Sequence, residues 1–328
     1  MRALVIGGTG WVGSAVVRAF DQRGIDVVTM SRSGNAFAGE GVRGDVQAHN
    51  FGLSKADMAE LQSTVTHIVS TFGSVDWGGG PRLAMELHQP GTRAALRFAE
   101  GCTKLEKFVH LSSVLVLGRR AEESTPIVDE LELGQSFRSW YEYAKYMAER
   151  ELRANTNVPW RAVRVGGIVG ANPYMHPSPK HGIMAVVPLM LRGYPMHLKD
   201  HGRFPCYPTD VMAAGEVLAR AALDEGSGDV WTYFDHDNPS LAEVFTRLCS
   251  PWGVVPRIVD MSILNPIARL LSERLGLPRE IIEYTEPWPD IPVEVLNLLP
   301  ADLPRCPPGY IEATGKALMQ SNLAMSAL

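Results

Sequence analysis

Apolar and polar positions follow two alternating rhythms along the first half of this chain. Residues 3–6 (ALVI) are continuously apolar and run into a glycine-rich turn, the pattern of a strand buried on both faces. From Val12 to Arg23 apolar residues recur at helical spacing, and Gly24 marks the stop. IDVVTM (25–30) predicts a second buried strand, and GVRGDV (41–46) a third. A helix over 54–63 leads to a strand at 66–71 (THIVST). The same spacing predicts a helix over 82–100, a strand at 107–113 (KFVHLSS), a helix over 139–154 and a strand at 161–170 (RAVRVGGIVG). Strand alternating with helix is the signature of a doubly wound parallel sheet with right-handed crossovers.

Beyond residue 170 the rhythm changes. A proline-rich loop, YMHPSPKHG (174–182), precedes an apolar helix at 183–192, and PTDVMAAGEVLARAAL (208–223) reads as another helix. DVWTYF (229–234) predicts a strand, and 262–275 an amphipathic helix with Pro266 inside it. From residue 286 prolines are frequent and periodicity is weak, the pattern of a segment that wraps the surface or packs as short helices. The expected organisation is an α/β dinucleotide-binding domain over 1–170, completed by 205–235. Residues 171–204 and 236–328 then form a smaller, partly helical substrate-binding region.

Composition narrows the partners. The 328 residues carry a formal net charge of -5, so no basic field argues for nucleic acid or an anionic membrane. No apolar run reaches bilayer-spanning length. After Met1 and Arg2 the chain passes directly into the first strand rather than into a signal peptide. Cys102, Cys206, Cys249 and Cys306 are scattered without a CxxC, which fits reduced thiols and a cytoplasmic location. His197 and His201, and His176 and His181, lack a further ligand in register, so no metal is expected.

Gly7, Gly10 and Gly13 form G-x-x-G-x-x-G between the first strand and the first helix. A pyrophosphate can approach backbone amides at a helix N-terminus there, where free N–H groups and the helix dipole favour negative charge. Any side chain at the closest glycine would block that approach, and Gly13 permits tight helix–strand packing. The end of the second strand discriminates between cofactors. NAD-binding sheets place an acidic residue there for the ribose 2′-hydroxyl, whereas this chain has Met30, Ser31, Arg32 and Ser33. A guanidinium can hold a 2′-phosphate bidentately, so Arg32 with the hydroxyls of Ser31 and Ser33 points to NADP.

Tyr141 and Lys145 stand four residues apart and share one face of the 139–154 helix, a relation Tyr143 cannot have with Lys145. A phenol normally titrates near pH ~10. An adjacent ammonium stabilises the phenolate and brings it closer to useful acid–base work. Ser112 and Ser113 sit at the carboxyl end of the 107–113 strand, the end that faces the ligand crevice in open α/β sheets. Either hydroxyl could bond a substrate oxygen there.

Taken together, GGTGWVG (7–13), GDV (44–46), PGT (90–92), LSSVLVLG (111–118), YEYAK (141–145) and VRVGGIVG (163–170) resemble the motifs of the extended short-chain dehydrogenases/reductases. Their order and spacing agree over roughly the first 235 residues. The resemblance implies a Rossmann fold and a hydride exchanged with a nicotinamide. Ser113 would be the substrate-orienting hydroxyl, chosen by its distance from Gly118. Tyr141 would be the acid/base, with Lys145 lowering its pKa and bonding the nicotinamide ribose. Further implied cofactor contacts are Trp11 and Val12 in the turn, Asp45 and Val46 by the adenine, and Thr71, Phe72 and Gly73 after the fourth strand. Val165, Gly167 and Ile168 would lie near the nicotinamide.

Three positions depart from the family pattern. His88 stands where an Asn is frequent, STFGSVDWGGG (70–80) replaces a His- and Ala-rich loop, and Val114–Leu115 replace the Asp-Glu of the family's dehydratases. The resemblance also implies a homodimer through helices 82–100 and 139–154.

The expected activity is an NADP-dependent oxidoreductase interconverting a carbonyl and an alcohol on a small, lipophilic substrate. Two alternatives stay open. One is a nucleotide-sugar epimerase with tightly held NAD, favoured by Arg203 seven residues before Asp210. The other is a non-catalytic NADP-binding sensor, which would have no need of a complete Ser–Tyr–Lys set.

Overall fold

The computed structural model describes residues 1–74, 80–119, 129–178, 181–226, 229–260 and 283–321. The helix expected over 262–275 lies outside them. Seven strands form one wholly parallel sheet: β1 (Arg2–Ile6), β2 (Asp26–Ser31), β3 (Glu40–Arg43), β4 (His67–Ser70), β5 (Lys107–Ser113), β6 (Trp160–Val165) and β10 (Val230–Tyr233). Their spatial order is β10-β6-β5-β4-β1-β2-β3, so the chain reverses its direction of travel across the sheet between β1 and β4. That switch point leaves a crevice at the carboxyl ends of the strands.

Two apolar cores explain why the strands are continuous apolar runs. Alternate strand residues such as Val5, Val69, Val109 and Val163 face α1 (Trp11–Asp21) and α6 (Val211–Leu223). Their neighbours Leu4, Ile68, Phe108 and Ala162 face α2 (Lys55–Thr64), α3 (Gly80–Glu100) and α4 (Trp140–Ala154). Helices α1 and α6 meet at Gly215, where an added Cβ would come within 2.4 Å of the Ala15 side chain.

Several boundaries differ from the sequence expectation. The third strand ends at Arg43, so GDV lies in the turn beyond it. The 161–170 run is two strands, not one. β6 stops at Val165 and β7 (Gly167–Val169) leaves the main sheet to pair with β9 (Pro208–Asp210). Gly166 makes the break, because a Cβ there would sit 1.7 Å from the Tyr207 carbonyl oxygen. Residues 208–210 are therefore strand, and α6 starts only after Asp210, whose carboxylate caps the Met212 and Ala213 amides.

The apolar 183–192 run divides into a 3-10 turn (Gly182–Val186) and the short α5 (Val187–Leu191), with Pro188 at the start of the latter. A second small pair joins β8 (Met196–Leu198) to β11 (Ile258–Asp260). α7 (Leu241–Cys249) opens with a capping box between Ser240 and Glu243. The proline-rich tail packs as a 3-10 segment (Val293–Leu298) and α8 (Tyr310–Gln320).

Charged groups pin α4 to the sheet. Glu149 on α4 is fully buried and bonds the Arg164 guanidinium of β6 at 2.6 Å, while the Ser112 hydroxyl of β5 donates to it at 2.7 Å. Burial alone would push this carboxyl up; the charges of Arg164 and Arg153 and the bonds to it outweigh burial and hold it at about 2. Removing one member of a buried pair strands the other in a medium of low polarity. Glu149→Ala is expected to cost about 3–5 kcal/mol in denaturant unfolding. A loss below ~1 kcal/mol would show that Arg164 reaches water without it.

Candidate functional site

A cavity of about 540 Å³ occupies the crevice at the carboxyl ends of the strands. The glycine turn forms its floor. Gly7 has φ +83°, its N–H bonds the Met30 carbonyl at 2.9 Å, and its own carbonyl receives the Gly10 N–H at 2.9 Å. An added Cβ on Gly13 would lie 2.1 Å from the Gly7 carbonyl oxygen, so Gly13 seats α1 under the turn and does not itself line the cavity. α1 begins on Gly10 with no side-chain cap, and the buried Trp11 indole N–H has no partner among the described residues. An uncapped helix start in a glycine cradle is the arrangement a pyrophosphate needs, so the site fits a dinucleotide.

Gly7, Gly10, Trp11 and Val12 line the cavity, as do Ser31 and Arg32 from the end of β2. Ser33 does not line it; its hydroxyl lies 3.3 Å from that of Ser31 and accepts the Asn35 N–H. Asp45 and Val46 line the same side, with the Asp45 carboxylate accepting the Gln47 N–H at 3.0 Å. Beyond β4, Thr71 donates to the Ile6 carbonyl at 3.0 Å, and Phe72 and Gly73 form the adjoining wall. Two glycines make room there. A Cβ on Gly91 would meet the Phe72 ring at 2.6 Å, and one on Gly73 the His88 ring at 2.7 Å.

Ser113, Tyr141 and Lys145 converge on the opposite side, with Val165, Gly167 and Ile168 beside them. Ser139 caps α4 by accepting the Glu142 N–H, which starts the helix so that Tyr141 and Lys145 face β5. Burial pushes the Tyr141 phenol up to about 12, and its hydrogen bond with Ser113 acts in the opposite direction. Burial brings Lys145 down to about 8, and its ammonium donates to the Leu111 carbonyl at 2.8 Å. Lys145 was expected to lower the tyrosine. Here its ammonium is taken up by a backbone carbonyl, and the group that counters burial at Tyr141 is Ser113.

Two buried histidines surround this trio. His88, on α3, meets the Tyr141 ring edge-on at 5.9 Å, and its Nε2 lies 3.1 Å from the Ser74 carbonyl oxygen. His110, on β5, has no hydrogen-bond partner on either ring nitrogen among the described residues. Burial first, and then the charge of Lys145, brings both down to about 3. Both rings are therefore neutral at physiological pH.

The remaining walls combine the apolar Leu87, Leu115, Met175, Ile183 and Trp288 with the polar Thr9, Gln47, Ser74 and His181. Trp288 arrives from the C-terminal part of the chain, held against the start of α4. The Tyr284 hydroxyl shares a 2.7 Å hydrogen bond with Ser139, and Arg138 donates to the Pro287 carbonyl at 2.8 Å. Across the cofactor end, the Asn172 amide donates to the Trp11 carbonyl at 2.6 Å and the Ser14 hydroxyl at 2.8 Å. His181, expected as a loop histidine, stacks on Trp11 at 5.1 Å. Met175 and Ile183 come from the 174–182 loop and the 183–192 run, a segment the sequence suggests as a rim of the pocket, whereas no local pattern marks Trp288. Arg203 is exposed and is not among the lining residues.

Comparison with known proteins bears on the family and the fold. A family model described as "Male sterility protein" matches residues 39–218. No curated protein sequence matches. The terminal R domain of the myxalamid PKS-NRPS biosynthetic pathway superposes with a TM-score of 0.74 at 17% identity, covering 98% of this chain and 91% of that one. The protein gox2253 superposes at 0.73 with 22% identity, covering 98% of each chain. UDP-glucuronic acid 4-epimerase from Bacillus cereus, solved with UDP-glucuronic acid and NAD, superposes at 0.67 with 16% identity, covering 98% and 100%. At these identities the likeness is one of fold.

The buried histidines have a pH consequence. Their folded pKa values lie below the ordinary 6.5, so between about 6.5 and 3 the unfolded chain binds protons that the folded chain does not. Each histidine therefore subtracts stability as pH falls through that window. In a histidine-selective NMR titration, the ring signals of His88 and His110 should stay at neutral-form positions down to about pH 4, between the two limits. A midpoint near the ordinary value for either ring would show that water reaches it.

Proposed function

Because the chain belongs to the male sterility protein family of NAD-binding extended short-chain dehydrogenases/reductases, we propose that it is an NADP-dependent oxidoreductase interconverting a carbonyl and an alcohol. The observation that carries this reading is the convergence of Ser113, Tyr141 and Lys145 on a cavity whose other end is an uncapped glycine turn. Bound along that cavity, the dinucleotide would supply or accept a hydride at its nicotinamide ring.

The chain's own residues do the rest. Tyr141, protonated at neutral pH, gives its phenolic proton to the substrate oxygen as that oxygen gains charge, or takes it back in the reverse direction. Ser113 donates a hydrogen bond to the same oxygen and orients it. For Lys145 to stabilise the phenolate that Tyr141 leaves behind, its ammonium would turn from the Leu111 carbonyl toward the phenol. The neutral His88 and His110 add no competing charge to this pocket. Leu87, Leu115, Met175, Ile183 and Trp288 exclude water and favour a lipophilic substrate.

At the cofactor's other end, Arg32 and the Ser31 hydroxyl suit a 2′-phosphate, and no carboxylate closes β2 to bond a free 2′-hydroxyl. A second reading, a nucleotide-sugar epimerase with NAD held through turnover, draws on the similar fold of UDP-glucuronic acid 4-epimerase. The exposed Arg203 gives it no diphosphate contact in the cavity.

NADPH oxidation with a panel of lipophilic aldehydes and ketones tests the reading directly. Tyr141→Phe should lower turnover about 10²- to 10⁴-fold while leaving NADPH affinity nearly unchanged. Near-normal turnover would remove Tyr141 from the mechanism. Arg32→Ala should weaken NADPH much more than NADH in a binding titration. Tightly bound NAD carried through purification would instead favour the epimerase.

A further inference from the structure

We propose that Arg43 is a second ligand of the cofactor's 2′-phosphate, opposite Arg32, so that the phosphate is held between two guanidinium groups. The inference rests on the NADP reading and adds to it a residue that lies outside every cofactor motif discussed above.

Its first support is register. β3 is the outermost strand of the sheet, and Arg43, its last residue, pairs directly with Ser31, the last residue of β2. Paired residues on neighbouring strands lie about 5 Å apart and project to the same face. Arg43 therefore emerges at the same level as Ser31, beside the cavity rather than among the residues that line it. Its second support is the turn between the strands. An added Cβ on Gly34 would stand 3.2 Å from the Arg43 Cβ, and one on Gly41 would stand 2.3 Å from the Gly34 carbonyl oxygen. The turn that carries Arg32 is thus folded down onto β3, with Arg43 directly alongside it.

Its third support is charge. Arg32 and Arg43 are both exposed, and neither has a carboxylate partner among the described residues. Arg2, at the other end of the same strands, is by contrast paired with Asp26, Glu40 and Glu60. Glu40, the acid at the start of β3, is already engaged by Arg2 and leaves Arg43 free of it. Two uncompensated cations carried by neighbouring strand ends repel each other, and a bound dianion between them would relieve that repulsion. A phosphate monoester offers three oxygens, enough for both guanidinium forks, while the Ser31 hydroxyl donates to the Asn35 carbonyl at 3.1 Å and holds the turn in place. A ribose 2′-hydroxyl offers neither the charge nor the acceptors.

Calorimetric titration of the full-length protein with NADPH, NADH, 2′,5′-ADP and 5′-AMP tests the proposal without any assay of turnover. Arg43→Ala and Arg43→Gln should each weaken NADPH and 2′,5′-ADP by about tenfold or more. NADH and 5′-AMP should stay within about twofold of wild type, which also shows that the variants are folded. The preference should shrink at higher salt in wild type and less so in the variants. Equal losses for phosphorylated and unphosphorylated ligands, or no loss for either, would overturn the assignment of Arg43. Wild-type protein that binds 2′,5′-ADP no better than 5′-AMP would instead overturn the NADP reading itself, whatever Arg43 does.

Discussion

The arrangement depends on one buried carboxylate. Glu149 ties α4 to β5 through Ser112 and to β6 through Arg164, and it does so two helical turns beyond Tyr141. A helix lying on a sheet through apolar contacts alone can slide or roll by fractions of an ångström at little cost. A charge-assisted bond to a fully buried arginine cannot be stretched in that way, because every displacement exposes an uncompensated charge to an apolar surround. Ser112 and Ser113 are consecutive in the chain, so the residue that anchors the helix adjoins the residue that faces Tyr141. Position is thereby passed from the sheet to the phenol over a very short path.

Burial then sets the protonation of what is held there. It raises the phenol, lowers the ammonium and keeps both histidines neutral, in each case by disfavouring the charged form. A protonated phenol is the form that can give a proton to a carbonyl oxygen. The phenolate that follows would be costly in such surroundings, and the lysine ammonium one turn along the helix could offset it only by leaving the Leu111 carbonyl.

Much of this is legible in the amino-acid sequence. Continuous apolar runs located the strands of the main sheet other than the exposed β3, and the glycine turn and the Tyr141–Lys145 spacing located the two ends of the cavity. Failures occurred where a local pattern was cut by something distant. RAVRVGGIVG looks like one strand until the Tyr207 carbonyl occupies the space of a Gly166 side chain. Residues 208–210 look helical until β7 offers them a partner. The relation of Lys145 to Tyr141 was legible as spacing. That the ammonium would bond the Leu111 carbonyl was not, because backbone acceptors carry no mark in a sequence. Trp288 was invisible for the same kind of reason: it lies 147 positions from Tyr141, and only the folded tail brings it to the cavity.

That tail joins two things usually thought of separately. Tyr284 grips Ser139, the residue that caps α4, and Arg138 grips Pro287, next to the tryptophan that walls the cavity. The surface that would feel a ligand's shape and the helix end that aims the phenol thus form a single mechanical piece. A molecule bulky enough to displace Trp288 would also loosen the first turn of α4. Selectivity in such a cavity would be exercised twice, once when a ligand fails to fit and again when a poorly fitting one leaves Tyr141 misaligned.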